Sequence, residues 1–152
     1  VDVMYLATKV ICEAMWRKRD GLTLSSLIDE LQEPAESVEV RLPIIQEDYR
    51  RAAGYVIEAI LSNTLTNPEW RHLAPDNREG VRISFDLDGG VDNAWFMLRL
   101  SVHDPVMPVN AESDVEGGLE YILTQLYAVL EKDNEELDLT PLKDVINQLK
   151  TK

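Results

Sequence analysis

Cysteine is nearly missing from this chain. Cys12 is the single one among 152 residues, which excludes an internal disulfide framework and a cysteine-built metal centre. It falls on an apolar helical face and is expected to be a core residue. Long apolar runs are missing as well. No stretch approaches membrane-spanning length, and no basic-then-apolar signal opens the sequence. Positive charge is scarce, with 15 Lys and Arg against 28 Asp and Glu and a formal net charge of -13. Such a surface repels nucleic acid and anionic membrane unless a basic patch intervenes. The one basic cluster, Arg17-Lys18-Arg19, stands where a first helix should end and complements its dipole. These absences point to a cytoplasmic protein with neither nucleic acid nor membrane as partner.

With 45% hydrophobic residues, the chain can bury one ordinary core. Residues 3–15 read as a helix, with Met4, Ala7, Val10, Ile11, Ala14 and Met15 three and four apart and Gly21 past the end. Residues 24–31 read as a second, short helix with Thr23 as a cap. Pro34 breaks the chain, and residues 33–37 read as a linker. Residues 38–42 alternate as a strand that Pro43 ends. Residues 48–61 carry a one-sided apolar stripe suited to covering a sheet. Residues 63–77, with Pro68 and Pro75, read as a loop anchored on the core by Trp70.

Val81, Ile83, Phe85 and Leu87 alternate as a half-buried strand. Asp88-Gly89-Gly90 turns it back into a strand over residues 94–100. Residues 106–112 form the last strand, with Met107, Val109 and Ala111 on one face. Pro108 cannot donate to a ladder, so this strand lies at an edge or donates from its other residues only. Ser113 and Glu116 have the spacing of a capping box. They precede the strongest amphipathic helix, through Leu119, Ile122, Leu123, Leu126 and Leu130. The tail is a solvated linker over residues 131–136 and a terminal helix over 138–149, with Thr140 as cap and Pro141 in its first turn. The fold class is α+β, in two layers. A four-stranded, mostly antiparallel sheet carries two helices on one face.

The centre of the chain is the turn between the last two strands, Arg99-Leu100-Ser101-Val102-His103-Asp104-Pro105. Pro105 keeps Asp104 extended or in a turn. An arginine fork delivered there, beside a hydroxyl and an imidazole, suits phosphate oxygens, and turn N–H groups can add to the cradle. A surface Arg99 paired with Asp104 is the plain alternative. Two other constellations read as structural. Phe85-Asp86-Leu87-Asp88-Gly89 suggests a metal or phosphatase loop, but a hairpin turn wants Asp and Gly for backbone reasons alone. Trp95 with Met97 suggests a sugar platform, but an aromatic here is expected to pack beneath a helix or against a neighbouring domain.

The run from Arg99 to Pro105 resembles the R-P-S-G-T-E-P loop of the phosphohexomutases, the phosphomannomutase and phosphoglucomutase superfamily. Gly80-Val81-Arg82-Ile83-Ser84-Phe85 and the continuation to Glu112 resemble the strands flanking that loop. Leu24-Ser25-Ser26-Leu27 is similar to the L-S-E-L that closes the family's third domain. Asp2-Val3-Met4-Tyr5 is similar to the D-G-x-Y opening that domain's last helix. Leu100, Val102, His103 and Asp104 stand where the family usually has proline, glycine, threonine and glutamate. The likeness runs from the first residue to about Glu131.

The resemblance implies a fragment. Residues 1–32 would be the terminal helical segment of domain 3, 33–37 the hinge and 38–131 the C-terminal phosphate-binding domain 4, of TATA-box-binding-protein-like fold. Residues 132–152 match no family feature. The parent enzyme would be an isomerase that moves a phosphoryl group between C1 and C6 of a hexose phosphate. It would work through a phosphoserine, a bisphosphorylated sugar and Mg²⁺ bound by a domain not represented here. In this chain, Arg99, Ser101, Val102 and His103 would bind the substrate phosphate, and Asp104 and Pro105 would support the loop. No catalytic or metal-binding residue is expected, and the chain alone should not turn over. Its partners would be a hexose phosphate and the other domains of the same polypeptide. The contrasting reading is a small acidic module whose apolar helices bind a protein and whose central turn is only structural.

Overall fold

The computed structural model describes residues 3–73, 80–132 and 135–151. The chain divides into two compact units, residues 1–33 and 34–152.

The first unit is α1 (Val3–Arg19) and a short 3₁₀ turn (Leu24–Leu27). Gly21, at φ +76°, ends α1. The Leu22 N–H reaches the Arg17 carbonyl at 2.8 Å and the Gly21 N–H reaches that of Lys18 at 3.2 Å, the paired bonds of a left-handed C-terminal cap. Arg17 ties the turn to the helix, donating from Nη1 to Ser26 Oγ at 2.9 Å and from Nε to Glu13 Oε1 at 3.0 Å. The second helix read over residues 24–31 shrinks to this turn, and Thr23 makes no capping bond from its side chain. No residue of α1 is buried. Cys12 is therefore exposed, contrary to the core position its apolar face suggests: two short elements cannot enclose a core. Asp2, part of the opening motif, lies outside the described residues.

The second unit begins with β1 (Glu36–Pro43) and α2 (Tyr49–Thr66), continues through β2 (Gly80–Phe85), β3 (Ala94–Arg99) and β4 (Val106–Ser113), and closes with α3 (Gly118–Lys132) and α4 (Thr140–Leu149). The strands make one sheet in the order β1-β4-β3-β2, and every neighbouring pair is antiparallel. Val40 and Leu42, Val81 and Ile83, Phe96 and Leu98, and Met107 and Val109 face one side, where they form a single core with α2, α3 and α4. This is the two-layer α+β arrangement, with a third helix on the same face. The tail is part of that layer: Leu142 and Ile146 of α4 are buried. Leu137 is also buried and bridges to Ile44, so the linker reading of residues 131–136 does not extend to Glu136, whose carbonyl accepts from the Ile45 N–H at 2.9 Å. Asp133 and Asn134 lie outside the described residues.

Asp48 caps α2, accepting from the Arg51 N–H at 3.2 Å, and the helix runs on to Thr66. The loop read over residues 63–77 thus begins later, and its residues 74–77 lie outside the described ones. Trp70 is 3% exposed and meets the rings of Phe85 at 5.9 Å and Phe96 at 5.3 Å, edge to face. Such contacts add to the area that a buried indole removes from water.

Two local readings change. β4 is an interior strand, so of the two options left by Pro108 the second holds: its neighbours carry the ladder. The capping box does not form. Ser113 Oγ accepts from the Val115 N–H at 3.0 Å, five residues ahead of α3's first residue. The start of α3 is held instead by Glu36, whose Oε2 accepts from the Leu119 N–H at 2.9 Å. Among the described residues, no helix is long and apolar enough to cross a membrane.

Candidate functional site

Alternation along β3 sends Ala94, Phe96 and Leu98 into the core and leaves Trp95, Met97 and Arg99 on the face away from the helices. Trp95 is therefore not packed beneath a helix. It lies half-exposed on the open face with the Arg82 guanidinium 4.9 Å above its ring.

Arg99 is the last residue of β3, and Gly80 lies opposite it on β2. A Cβ at Gly80 would collide with the Leu98 carbonyl oxygen and the Arg99 Cβ, so only glycine lets β2 lie this close to the arginine. On the other side, the register that pairs Leu98 with Val109 puts Pro108 opposite Arg99. The bonds from Asp114 N–H to the Asn93 carbonyl and from Ser101 N–H to the Val106 carbonyl fix which pairs face each other with hydrogen-bonding groups. Arg99 and Pro108 are one such pair, and proline has no N–H to give. The ladder stops at Leu98–Val109 and closes again only at Ser101–Val106, at 3.0 Å. A glycine and a proline thus flank Arg99: the glycine makes room for its Cβ, and the proline gives its backbone carbonyl no N–H from β4.

Arg99 is half-buried. Among the described residues its side chain has no hydrogen bond and no carboxylate partner. The pairing of Arg99 with Asp104 is not present. Asp104 acts through its backbone: its N–H points at Ser101 Oγ over 3.4 Å, and its carbonyl accepts from the Val106 N–H at 2.8 Å. The Pro105 carbonyl accepts from the Ile44 N–H at 2.8 Å, tying the loop to β1. With Ser101 Oγ used as an acceptor, its hydroxyl proton is left to donate outward. Val102 and His103 are exposed, and among the described residues their N–H groups have no acceptor.

Val102 stands where the resembled loop has glycine, yet the backbone asks for no glycine there. Among the described residues, positive φ at non-glycine positions occurs only at Asp88 and Asp92. What Val102 adds is an exposed apolar side chain, 77% accessible, on the surface where the N–H groups emerge.

The Asp86 to Gly89 segment is a turn. Asp88 and Gly89 take φ +49° and +81°. Asp86 Oδ1 accepts from the Asp92 N–H at 2.8 Å and pairs with Arg71, and these bonds, the backbone one first, hold its carboxyl below its ordinary value. Both bonds fall on Oδ1, one from the turn and one from Arg71. Among the described residues, no group of three or more His, Cys, Asp or Glu side chains is placed to hold a metal ion. The sequence reading missed Gly80 and Pro108 as the residues that position Arg99. The signal was there, a glycine opening one strand and a proline inside another, but it acquires meaning only through the register.

No protein-family model matches this chain, and no curated protein is significantly similar to it.

Proposed function

We propose that this chain is the substrate-phosphate-binding part of a phosphohexomutase, a cytoplasmic enzyme of carbohydrate metabolism that interconverts hexose 1-phosphate and hexose 6-phosphate. The observation that carries the reading is Arg99: a half-buried guanidinium at a strand end with no partner among the described residues, beside donors of Ser101, Val102 and His103 that have no acceptor among them either. A guanidinium without a carboxylate partner among the described residues is conspicuous in a protein of net charge -13, where carboxylates are plentiful.

In this reading the chain does no bond chemistry. Arg99 gives two parallel bonds to the phosphate distal to the reaction, Ser101 gives a hydroxyl bond, and His103 with the turn N–H groups completes the cradle. Asp104 and Pro105 hold the loop in shape. The contribution is positioning and charge neutralisation. The phosphoserine and Mg²⁺ belong to other domains of the parent polypeptide.

The test is a titration of inorganic phosphate and of mannose 6-phosphate into isotopically labelled protein, followed by amide shifts. Residues 99–105 should move first and saturate on the order of millimolar, because most enclosing contacts are absent. In a coupled assay with mannose 1-phosphate, Mg²⁺ and bisphosphate activator, the chain should stay at background. Saturable shifts centred on residues 86–90 instead would overturn the assignment.

One observation favours the contrasting reading of a protein-interaction module. α1 exposes Met4, Ile11, Met15 and Trp16 at 60 to 74%, and an apolar face of that kind seeks a cover. In the phosphohexomutase reading the cover is the rest of domain 3. In the module reading it is a separate protein, and the chain then shows no phosphate affinity.

A further inference from the structure

A second arginine stands in the same row as Arg99. β1 and β4 pair Arg41 with Pro108, and the register of β3 and β4 puts Arg99 on the other side of that proline. The two arginine Cα atoms are therefore two strand spacings apart, about 10 Å. Arg41 lies between Val40 and Leu42, both buried, so its side chain leaves the sheet on the face away from the helices, as that of Arg99 does. Pro108 turns to the same face and is nonetheless buried. Its cross-strand neighbours there are the two arginines, whose aliphatic stems cover apolar surface of this kind. No polar side chain stands between them in the row.

Arg41 is only lightly held. Its side chain is 67% exposed, and its Nε donates to Glu39 Oε1 at 2.9 Å. An exposed ion pair of this kind contributes little. Among the described residues, the other N–H groups of this guanidinium make no hydrogen bond. Glu39 stands one row back, opposite Asn110, so the pair draws Arg41 away from Arg99.

We infer that Arg41 is a second ligand for the phosphate proposed at Arg99, and that Glu39 competes with that anion for it. This rests on the phosphate reading of Arg99 and extends the site across Pro108 to β1. A phosphate monoester carries about 1.5 to 2 negative charges at neutral pH and three acceptor oxygens. It can take the fork of Arg99 on two of them and present the third to Arg41. A phosphodiester, with one charge and two free oxygens, gains less from the second arginine. The pair thus selects a terminal phosphate monoester.

The experiment titrates inorganic phosphate and dimethyl phosphate into the full isotopically labelled chain. With inorganic phosphate, the Nε–H signals of Arg41 and Arg99 should both move. Arg41→Gln should weaken inorganic phosphate about fivefold, the upper end for an exposed ion pair. Arg50→Gln removes the same charge from α2, on the other side of the sheet, and should change nothing. Arg41→Lys should recover part of the loss, since the charge remains without the fork. Glu39→Gln should tighten inorganic phosphate about twofold, and only while Arg41 is present. Dimethyl phosphate should bind more weakly and lose less on Arg41→Gln. If phosphate moves residues 99–105 but Arg41→Gln binds it no worse than Arg50→Gln, the inference fails while the phosphate reading stands. A gain from Glu39→Gln that persists without Arg41 would refute the competition. If phosphate does not move residues 99–105 of the natural protein, the phosphate reading fails and the inference falls with it.

Discussion

Glu36 and Leu119 are 83 positions apart, and a single bond of 2.9 Å joins the Leu119 N–H to the Glu36 carboxylate. The first residue of β1 thereby neutralises the amino end of α3, where unpaired N–H groups and the helix dipole both favour a negative charge. Glu36→Ala should destabilise the second unit by about 0.5–2 kcal/mol. Glu36→Gln should cost less, because the amide oxygen still accepts. Urea unfolding followed by far-ultraviolet circular dichroism measures both, and equal losses from the two variants would show that the bond itself contributes nothing.

Gly80→Ala separates positioning from binding at the proposed phosphate site. The added methyl meets the Leu98 carbonyl and the Arg99 Cβ, backbone and near-backbone atoms that cannot swing away. The variant keeps Arg99 yet should lose both stability and phosphate affinity. Arg99→Ala should lose the affinity with little change in thermal midpoint, and Arg99→Lys should regain only part of it, since a point charge cannot reproduce the fork. Unchanged phosphate affinity in Gly80→Ala would mean that the β2 contact does not set the arginine's position.

The attachment of α4 should weaken in acid. The Asp138 carboxylate accepts first from the Thr140 hydroxyl and then from its N–H, at 2.9 Å, and these bonds hold its pKa below the ordinary 3.8. A carboxyl lowered in the folded state stabilises the fold above its unfolded value, and that contribution fades as pH falls through the folded value. Thermal midpoints of the natural protein and Asp138→Asn should differ at neutral pH and converge below about pH 4. A gap that stays constant down to strongly acidic solution would rule out the charge as its source.

Removal of residues 1–32 should leave a cooperatively folding protein, because α1 contributes no buried residue and the core cluster holds residues of the second unit only. Differential scanning calorimetry should show one transition of nearly unchanged midpoint. Loss of that transition would place the first helix in the main core.

What the sequence disclosed follows from which forces act locally. Alternation in residues 81–85 and 94–99 revealed strands whose inward faces are buried, and the 3.6-residue spacing from Leu119 to Leu130 revealed α3. Local periodicity also exposed α4, but not that Leu142 and Ile146 complete the core. That depends on the Ile44–Leu137 bridge, a contact between residues far apart in sequence. The capping box at Ser113 and Glu116 failed for the same reason: a remote carboxylate took the role. At the site, Arg99, Ser101 and His103 were visible as donors in a turn. The glycine and proline that flank Arg99 were not, because their effect exists only once three strands are in register.

The short exchange between the tail and β1 has a protective side. Ile45 gives its N–H to Glu136 and Pro43 receives the N–H of Asp138, on the flank of β1 turned away from β4. On the far flank of the sheet, Arg71 and Ser84 exchange both of their backbone bonds at 3.1 and 2.9 Å. The sheet is thus fastened at opposite corners by its own chain. A strand from another molecule seeking to extend it must first strip away one of these clasps, the kind of obstacle that keeps neighbouring sheets from zipping into fibrils.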